Sequence, residues 1–453
     1  MKLQLVNSFR VARAALVVAA AGFIAPVALD KLVESAGFES ALVASAVAQG
    51  SKQEKRALPG ISEPFYKKLG KVADYASPPE DSDRKPDFKA ALAELKKLEK
   101  DCEKCNAYEL AQVYNYYGWI YYMLEDIDKS ILYYDKVVQQ SPMIPWGLEL
   151  STIFTLAQLE FSQERYDAAL KRLNRWMSLS DTVGADVYYL KSQICYQTED
   201  KKCSLDNILT AIKMVEDKGQ IAKEPWYGLQ KALYLEKEDY RSTLPILEKL
   251  VRHYPKKSYW QQLSSVYGLL EQDKKQLGAL DATYVMGGLD KEQQILNLVY
   301  LLIQNEYPYR AASVLDKAID DKIAKRNEKN LETLAKAWSQ AKEKRKAIPV
   351  MTEAADLSDT GDTWGLVMAL YLDVDDSKNA VKAGEKALKK GKLERPGDIH
   401  LNIGIAHVDL HEYEAAIKSF RKAEEDKRVK RIAENWRKYA QSELDRKRQL
   451  AQN

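Results

Sequence analysis

The stretch "GWIYYMLEDIDKSILYYDKVVQQSP", Gly118 to Pro142, holds no His, no Cys and no glycine-rich loop. Its order lies in spacing. Small Gly118 is followed three residues on by Tyr121, nine further by Ser130, then by Tyr134, Val137 and Pro142. The same ladder recurs as Gly404, His407, Ala416, Phe420 and Ala423, and as Met368, Tyr371, Ala380, Gly384 and Ala387. A looser copy, Lys231, Tyr234, Thr243, Leu247 and Leu250, carries Pro255 in the slot of Pro142. Others read Ala157, Ala169, Leu173, Trp176, then Val299, Leu302, Ala311, Leu315, Ala318, and Ala335, Trp338, Ala347, Met351, Ala354.

Steps of three and four mark one face of a helix, and short polar breaks such as "EDID" and "LHEY" separate one such helix from the next. Each copy therefore predicts a helix hairpin of about 34 residues. Small residues belong where the two axes cross, since a large side chain there would force them apart; aromatic residues fill the space between successive hairpins. Copies fall near 111–144, 150–183, 185–218, 224–257, 257–290, 292–325, 328–361, 361–394 and 397–428, those at 185–218 and 257–290 being the faintest. Composition agrees: Ala, Leu, Lys, Glu and Gln abound while Gly (20) and Pro (14) are scarce in 453 residues, which predicts an all-α protein.

The pattern resembles the tetratricopeptide-repeat family, which implies a right-handed superhelical solenoid of helix hairpins across 111–428. Departures are Glu160 in an aromatic slot, and Pro245 and Pro349 at one phase of their second helices, which are expected to start late or kink there. Residues 61–110 read as a divergent N-terminal hairpin and 429–453 as a basic C-terminal capping helix, with Trp436 and Tyr439 on one side, since terminal repeats must present a face to water.

Lys2, Arg10 and Arg13 precede an apolar run from Ala14 to Leu29, and "ALVASAVAQG" ends in Ala46-Val47-Ala48 before Gln49. This is the grammar of a cleaved secretory signal over 1–48, which predicts an exported, soluble chain starting near Gln49 with a flexible linker over 49–60; the alternative is an uncleaved anchor. No later stretch is apolar for long enough to span a bilayer. Removing 1–48 takes four bases (Lys2, Arg10, Arg13, Lys31) and three acids (Asp30, Glu34, Glu39), changing the net charge from +3 to +2. Near-neutrality gives no global attraction to nucleic acid.

The four cysteines form two close pairs, Cys102/Cys105 and Cys195/Cys203, candidate disulfides in an exported chain. A redox-active reading of "CEKC" lacks a βαβ context, and zinc binding lacks a nearby His. His400, His407 and His411 follow at intervals of seven and four and share a helix face, so a metal site is conceivable; packing in aromatic slots explains two of them. No catalytic motif appears, no cofactor is called for, and the chain reads as non-enzymatic.

In the family the first helix of each hairpin lines the concave surface. The resemblance then places Asn115, Trp119, Tyr122, Phe154, Gln158, Phe161, Tyr189, Gln193 and Tyr196 along a groove suited to an extended or proline-rich peptide. The alternative is that these aromatics pack against the next repeat or the N-terminal hairpin. The Lys and Asn pairs that clamp a terminal carboxylate in some family members do not appear there. The cap helix carries nine bases (Lys427, Arg428, Lys430, Arg431, Arg437, Lys438, Arg446, Lys447, Arg448) against three acids (Glu434, Glu443, Asp445), a surface for acidic lipid or an acidic partner, or simply a solvated face.

The whole chain is similar to the exported tetratricopeptide-repeat proteins associated with TonB energy-transduction systems of marine gammaproteobacteria. That resemblance implies a periplasmic scaffold beside an ExbB/ExbD/TonB-type complex in iron or siderophore uptake, with a TonB-complex component as partner. The rival expectations are a scaffold for peptidoglycan, polysaccharide or outer-membrane assembly, and a metal-binding or redox protein using His400, His407 and His411 or the cysteine pairs.

Overall fold

The computed structural model describes residues 56–78 and 84–450. The expected signal over 1–48 and residues 49–55 of the expected linker lie outside the described residues. Every regular element among the described residues is helical, and the chain divides into two compact units at Glu238/Asp239.

The first unit contains α1 (Glu63–Ala76), α2 (Phe88–Lys100), a 3-10 turn at Asp101–Lys104, α3 (Ala107–Met123), α4 (Ile127–Val138), α5 (Trp146–Ser162), α6 (Tyr166–Leu179), α7 (Ala185–Gln197), α8 (Lys201–Glu216) and α9 (Glu224–Glu236). The second contains α10 (Tyr240–His253), α11 (Lys257–Leu269), α12 (Asp273–Val285), α13 (Glu292–Gln304), α14 (Pro308–Asp320), α15 (Glu328–Gln340), α16 (Lys344–Leu357), α17 (Asp362–Leu372), α18 (Ser377–Lys390), α19 (Pro396–Asp409), α20 (Tyr413–Ala423) and α21 (Lys430–Leu450). Within each unit consecutive helices pair, and the second helix of one hairpin packs on the first of the next. Within each unit the tetratricopeptide-type hairpins expected from spacing are present, including the faint ones at α7/α8 and α11/α12.

The crossing points show why small residues recur twelve positions apart. A Cβ on Gly118 would lie 2.8 Å from the Tyr134 ring, and one on Gly404 would lie 2.4 Å from Phe420. Ala157, Ala169, Ala335 and Ala347 are fully buried at the same slots. In α7/α8 the slots hold two serines. The Ser192 hydroxyl donates to the Ser204 carbonyl at 2.7 Å and the Ser204 hydroxyl donates to the Ser192 carbonyl at 2.9 Å, so the polar atoms satisfy one another. Ser130 donates likewise to the Gly118 carbonyl at 2.8 Å.

From α3 onward each first helix ends in one kind of turn. Glu125, Glu164, Glu199, Glu238, Glu271, Glu306, Lys342, Asp375 and His411 all take positive φ, from 55° to 66°. The reversal satisfies the last carbonyls: the Asp126 and Glu125 amides donate to Tyr121 and Tyr122, each at 2.9 Å. For a residue with a Cβ this conformation costs about 1–2 kcal/mol, which the closing hydrogen bonds must offset. Aspartates then open several second helices, with Asp126, Asp200, Asp239 and Asp376 each accepting from the amide three residues on.

One expectation changes. Pro245 and Pro349 lie inside α10 and α16, which start at Tyr240 and Lys344 rather than late. Both prolines, and Arg241 and Arg345 four residues earlier, are exposed, so water can take the carbonyl that loses its helical partner. Trp436 stacks on Phe420 at 6.2 Å as α21 packs on α20, and it meets half-exposed Tyr439 edge-on at 5.9 Å, so the two share one side of the cap helix as expected.

Tyr134 is fully buried and its hydroxyl has no hydrogen-bond partner, while Phe420 fills the equivalent slot. An unpaired buried hydroxyl costs about 1–3 kcal/mol. Tyr134→Phe should therefore stabilise the protein by about 1 kcal/mol in chemical denaturation with an unchanged m-value; a loss of stability would show that the hydroxyl is satisfied.

Candidate peptide-binding face

The nine groove candidates come from three first helices, α3, α5 and α7, and all are half-buried rather than exposed. Trp119 meets Phe88 of α2 edge-on, with ring centroids 6.2 Å apart. Tyr122 packs with the buried cluster around Ile131 and Leu156. Phe154 lies 5.5 Å from Trp176, and Phe161 lies 5.8 Å from Tyr166, both on α6. Tyr189 stacks on Trp226 of α9 at 5.3 Å, and the Tyr196 hydroxyl donates to Glu236 of α9 at 2.5 Å beneath Lys201. Burial raises both phenols to about 12, with the Glu236 carboxylate adding to the effect at Tyr196. Three of the six aromatics, Trp119, Tyr189 and Tyr196, thus contact the N-terminal hairpin or the next repeat, as the packing alternative expects, while Phe154 and Phe161 pack on the second helix of their own hairpin; among the described residues no ring contact joins one of the six to another.

The amides differ. Among the described residues the side chains of Asn115, Gln158 and Gln193 have no hydrogen-bond partner, although each is half-buried. One such group on each successive first helix offers a donor and an acceptor to an extended backbone.

Two buried carboxylates escaped the sequence reading. Glu149 on α5 accepts from Ser141 at 2.9 Å and pairs with Arg175 at 2.9 Å and Arg56 at 2.7 Å. The Arg56 guanidinium also donates to the Ile144 carbonyl at 2.9 Å and lies 3.4 Å from the centre of the Trp146 ring. Glu109 on α3 accepts from the Ser62 amide at 2.8 Å and hydroxyl at 2.7 Å, and from the Asn106 amide at 3.1 Å. Asn106 in turn donates to the Gly60 carbonyl at 2.8 Å. The segment 56–62 is therefore strapped by side chains across the first turns of α3 and α5, where a free linker was expected up to residue 60. The "NAYE" capping box at Asn106 was a legible sign of one end; nothing in the sequence marked Arg56 for the other.

Cys102 and Cys105 are bonded in the turn after α2, and Cys195 and Cys203 join α7 to α8. The histidine reading needs correction, because α19 ends at Asp409 and His411 lies in the turn beyond it. His407 Nδ1 is 2.7 Å from Glu412, His411 Nδ1 is 3.1 Å from the Tyr413 hydroxyl, and burial holds His400 below its usual pKa. Among the described residues no group of three His, Cys, Asp or Glu side chains is placed to hold a metal. On the cap helix, Arg437 pairs with Glu424, Arg446 with Glu443 and Arg448 with Glu414, which neutralises some of its basic charge.

Paired helices, small crossing residues and helical turns closed at a left-handed residue define an all-α repeat protein built of tetratricopeptide-type hairpins. No family model matches the chain, and no curated protein matches it. Solved structures similar to it include YrrB, described as a TPR protein with an unusual peptide-binding site (13% identity over 42% of this chain and 90% of that one, TM-score 0.32). A tetratricopeptide repeat protein from Parabacteroides merdae shows 14% identity over 57% and 98%, with TM-score 0.26. The APC/C hetero-tetramer Cut9-Hcn1 shows 12% over 78% and 93%, with TM-score 0.28.

Burial pushes the Glu109 carboxyl up, but the Ser62 and Asn106 hydrogen bonds outweigh it and hold the group below its usual value. A depressed carboxyl stabilises above its unfolded pKa and loses that contribution as pH falls through the folded one. The hydrogen-exchange protection factor of the Ser62 amide should thus be full above about pH 5 and fall on acidification below about pH 4.5, and Glu109→Gln should flatten this step. A pH-independent protection factor in the wild type would contradict the clamp.

Proposed function

We propose that the chain is a non-catalytic periplasmic scaffold that holds an extended, proline-rich segment of a partner protein across α3, α5 and α7, as an accessory to a TonB/ExbB/ExbD-type complex in iron or siderophore uptake. The observation that carries the binding reading is the trio of half-buried, unpartnered amides, Asn115, Gln158 and Gln193, one on each of three successive first helices, with Trp119 four residues from Asn115 and Phe154 and Phe161 four and three residues from Gln158. Extended segments present backbone N–H and C=O groups at regular intervals, and proline rings rest on aromatic surfaces at little ordering cost. The N-terminal signal grammar and the two disulfides support the periplasmic element of the reading, because disulfides persist in oxidising compartments. The TonB element rests on the likeness of the whole chain to that group of exported repeat proteins.

The test is titration of the purified chain with the proline-rich periplasmic segment of TonB, alongside crosslinking and capture from iron-limited cells. The variant is Asn115→Ala/Gln158→Ala/Gln193→Ala, which removes unpartnered groups and leaves the packed rings in place. Loss of three hydrogen bonds worth about 0.5–1.5 kcal/mol each should weaken binding at least about tenfold. Equal affinity for wild type and variant would remove the amide row from the reading, and capture of a cell-wall or outer-membrane assembly machine would replace the TonB partner.

A further inference from the structure

A second site emerges when α11/α12 is aligned with α3/α4 on their crossing pairs, Ser264/Gln276 and Gly118/Ser130. In that register Trp260 stands where Tyr114 does, Leu263 for Tyr117, Tyr267 for Tyr121, Lys275 for Lys129 and Ala279 for Tyr133. In α3/α4 the Tyr133 ring stacks on Tyr117 at 4.4 Å and on Tyr121 at 5.5 Å, with Lys129 5.0 Å above Tyr121. The Tyr117 hydroxyl donates to Glu99 of the preceding helix at 3.1 Å. In α11/α12 the Lys–Tyr pair persists, with Lys275 5.5 Å from the Tyr267 ring, while the hydrogen bond to the preceding helix moves to Tyr267, the counterpart of Tyr121, which donates to Glu248 at 2.7 Å. Ala279 and Leu263 cannot supply the stacked ring, and a cavity of about 490 Å³ opens among Arg252, Trp260, Leu263, Tyr267, Lys275 and Ala279. That volume falls in the roughly 300–1,000 Å³ range of ligand pockets.

We propose that this cavity receives a tyrosine side chain carried on an acidic segment of a partner protein. The chain supplies the template for the occupant, because Tyr133 fills the equivalent position in α3/α4. A ring entering beside Tyr267 and Trp260 gains stacking area of the kind Tyr133 has. Its hydroxyl can donate to Glu248 Oε2, since Tyr267 uses Oε1. Arg252 and Lys275 are exposed and, among the described residues, have no carboxylate partner, so the residues flanking the tyrosine are acidic. The site is separate from the amide row on α3, α5 and α7 and stands or falls independently of it.

Calorimetric titration of the full chain with acetyl-Asp-Tyr-Asp-amide tests this, with acetyl-Asp-Ala-Asp-amide and acetyl-Lys-Tyr-Lys-amide as comparisons. Saturable binding of the first is expected, at least about tenfold weaker for the other two. Ala279→Tyr puts the ring back in cis: it should abolish binding and raise the melting temperature. Arg252→Glu/Lys275→Glu lies on the surface and should reverse the preference between the acidic and basic peptides. No saturable binding to wild type, binding by a folded Ala279→Tyr variant equal to wild type, or an unchanged charge preference in the double reversal overturns the proposal.

Discussion

The close approach of two helix axes at residues twelve positions apart is the constraint on which the other features rest. With no side chain between the axes, the flanking rings and aliphatic groups have room to enter: Tyr134 over Gly118, Phe420 over Gly404 and Met368 beside Gly384. The protein meets this constraint with glycine, alanine and serine, and the serine pair in α7/α8 replaces missing apolar contact with two hydrogen bonds. That exchange lets a hairpin with a faint apolar signature keep the geometry of its neighbours.

The turn between the helices follows from the same constraint. For the second helix to return at close range, the first must end within one residue, and a left-handed residue reverses the chain while closing the last carbonyls. Glutamate fills this position in six of the nine turns, from Glu125 to Glu306, where glycine would be least strained. Disulfide Cys195–Cys203 bridges one such turn and holds its two helices together covalently.

The fold was legible because its determinants are local. Spacing within some thirty residues states which positions cross, and that statement survives weak copies. The site was less legible because some of its contacts are made by other hairpins: that Tyr189 would lie on Trp226, or Tyr196 bond Glu236, depends on how α9 faces α7. The amides Asn115, Gln158 and Gln193 were placed by position alone, and it is their lack of partners that separates them from the packed rings. Arg56 was beyond reach of periodicity, since it lies in a segment with none. His411 misled for the opposite reason: its spacing from His407 fits a helix, yet it occupies the turn where the helix has already ended.

The measurement that tests the crossing constraint most directly is a leucine scan of Ala157, Ala169, Ala335 and Ala347 in the full chain, read by denaturant unfolding against leucine at an exposed helical position such as Lys382. Forcing extra methylenes into a close-packed crossing costs about 1–3 kcal/mol, whereas exposed sites stay within about 0.5 kcal/mol. The account predicts that all four buried substitutions destabilise by the larger amount. Leucine tolerated at these slots as readily as at the exposed position would contradict it.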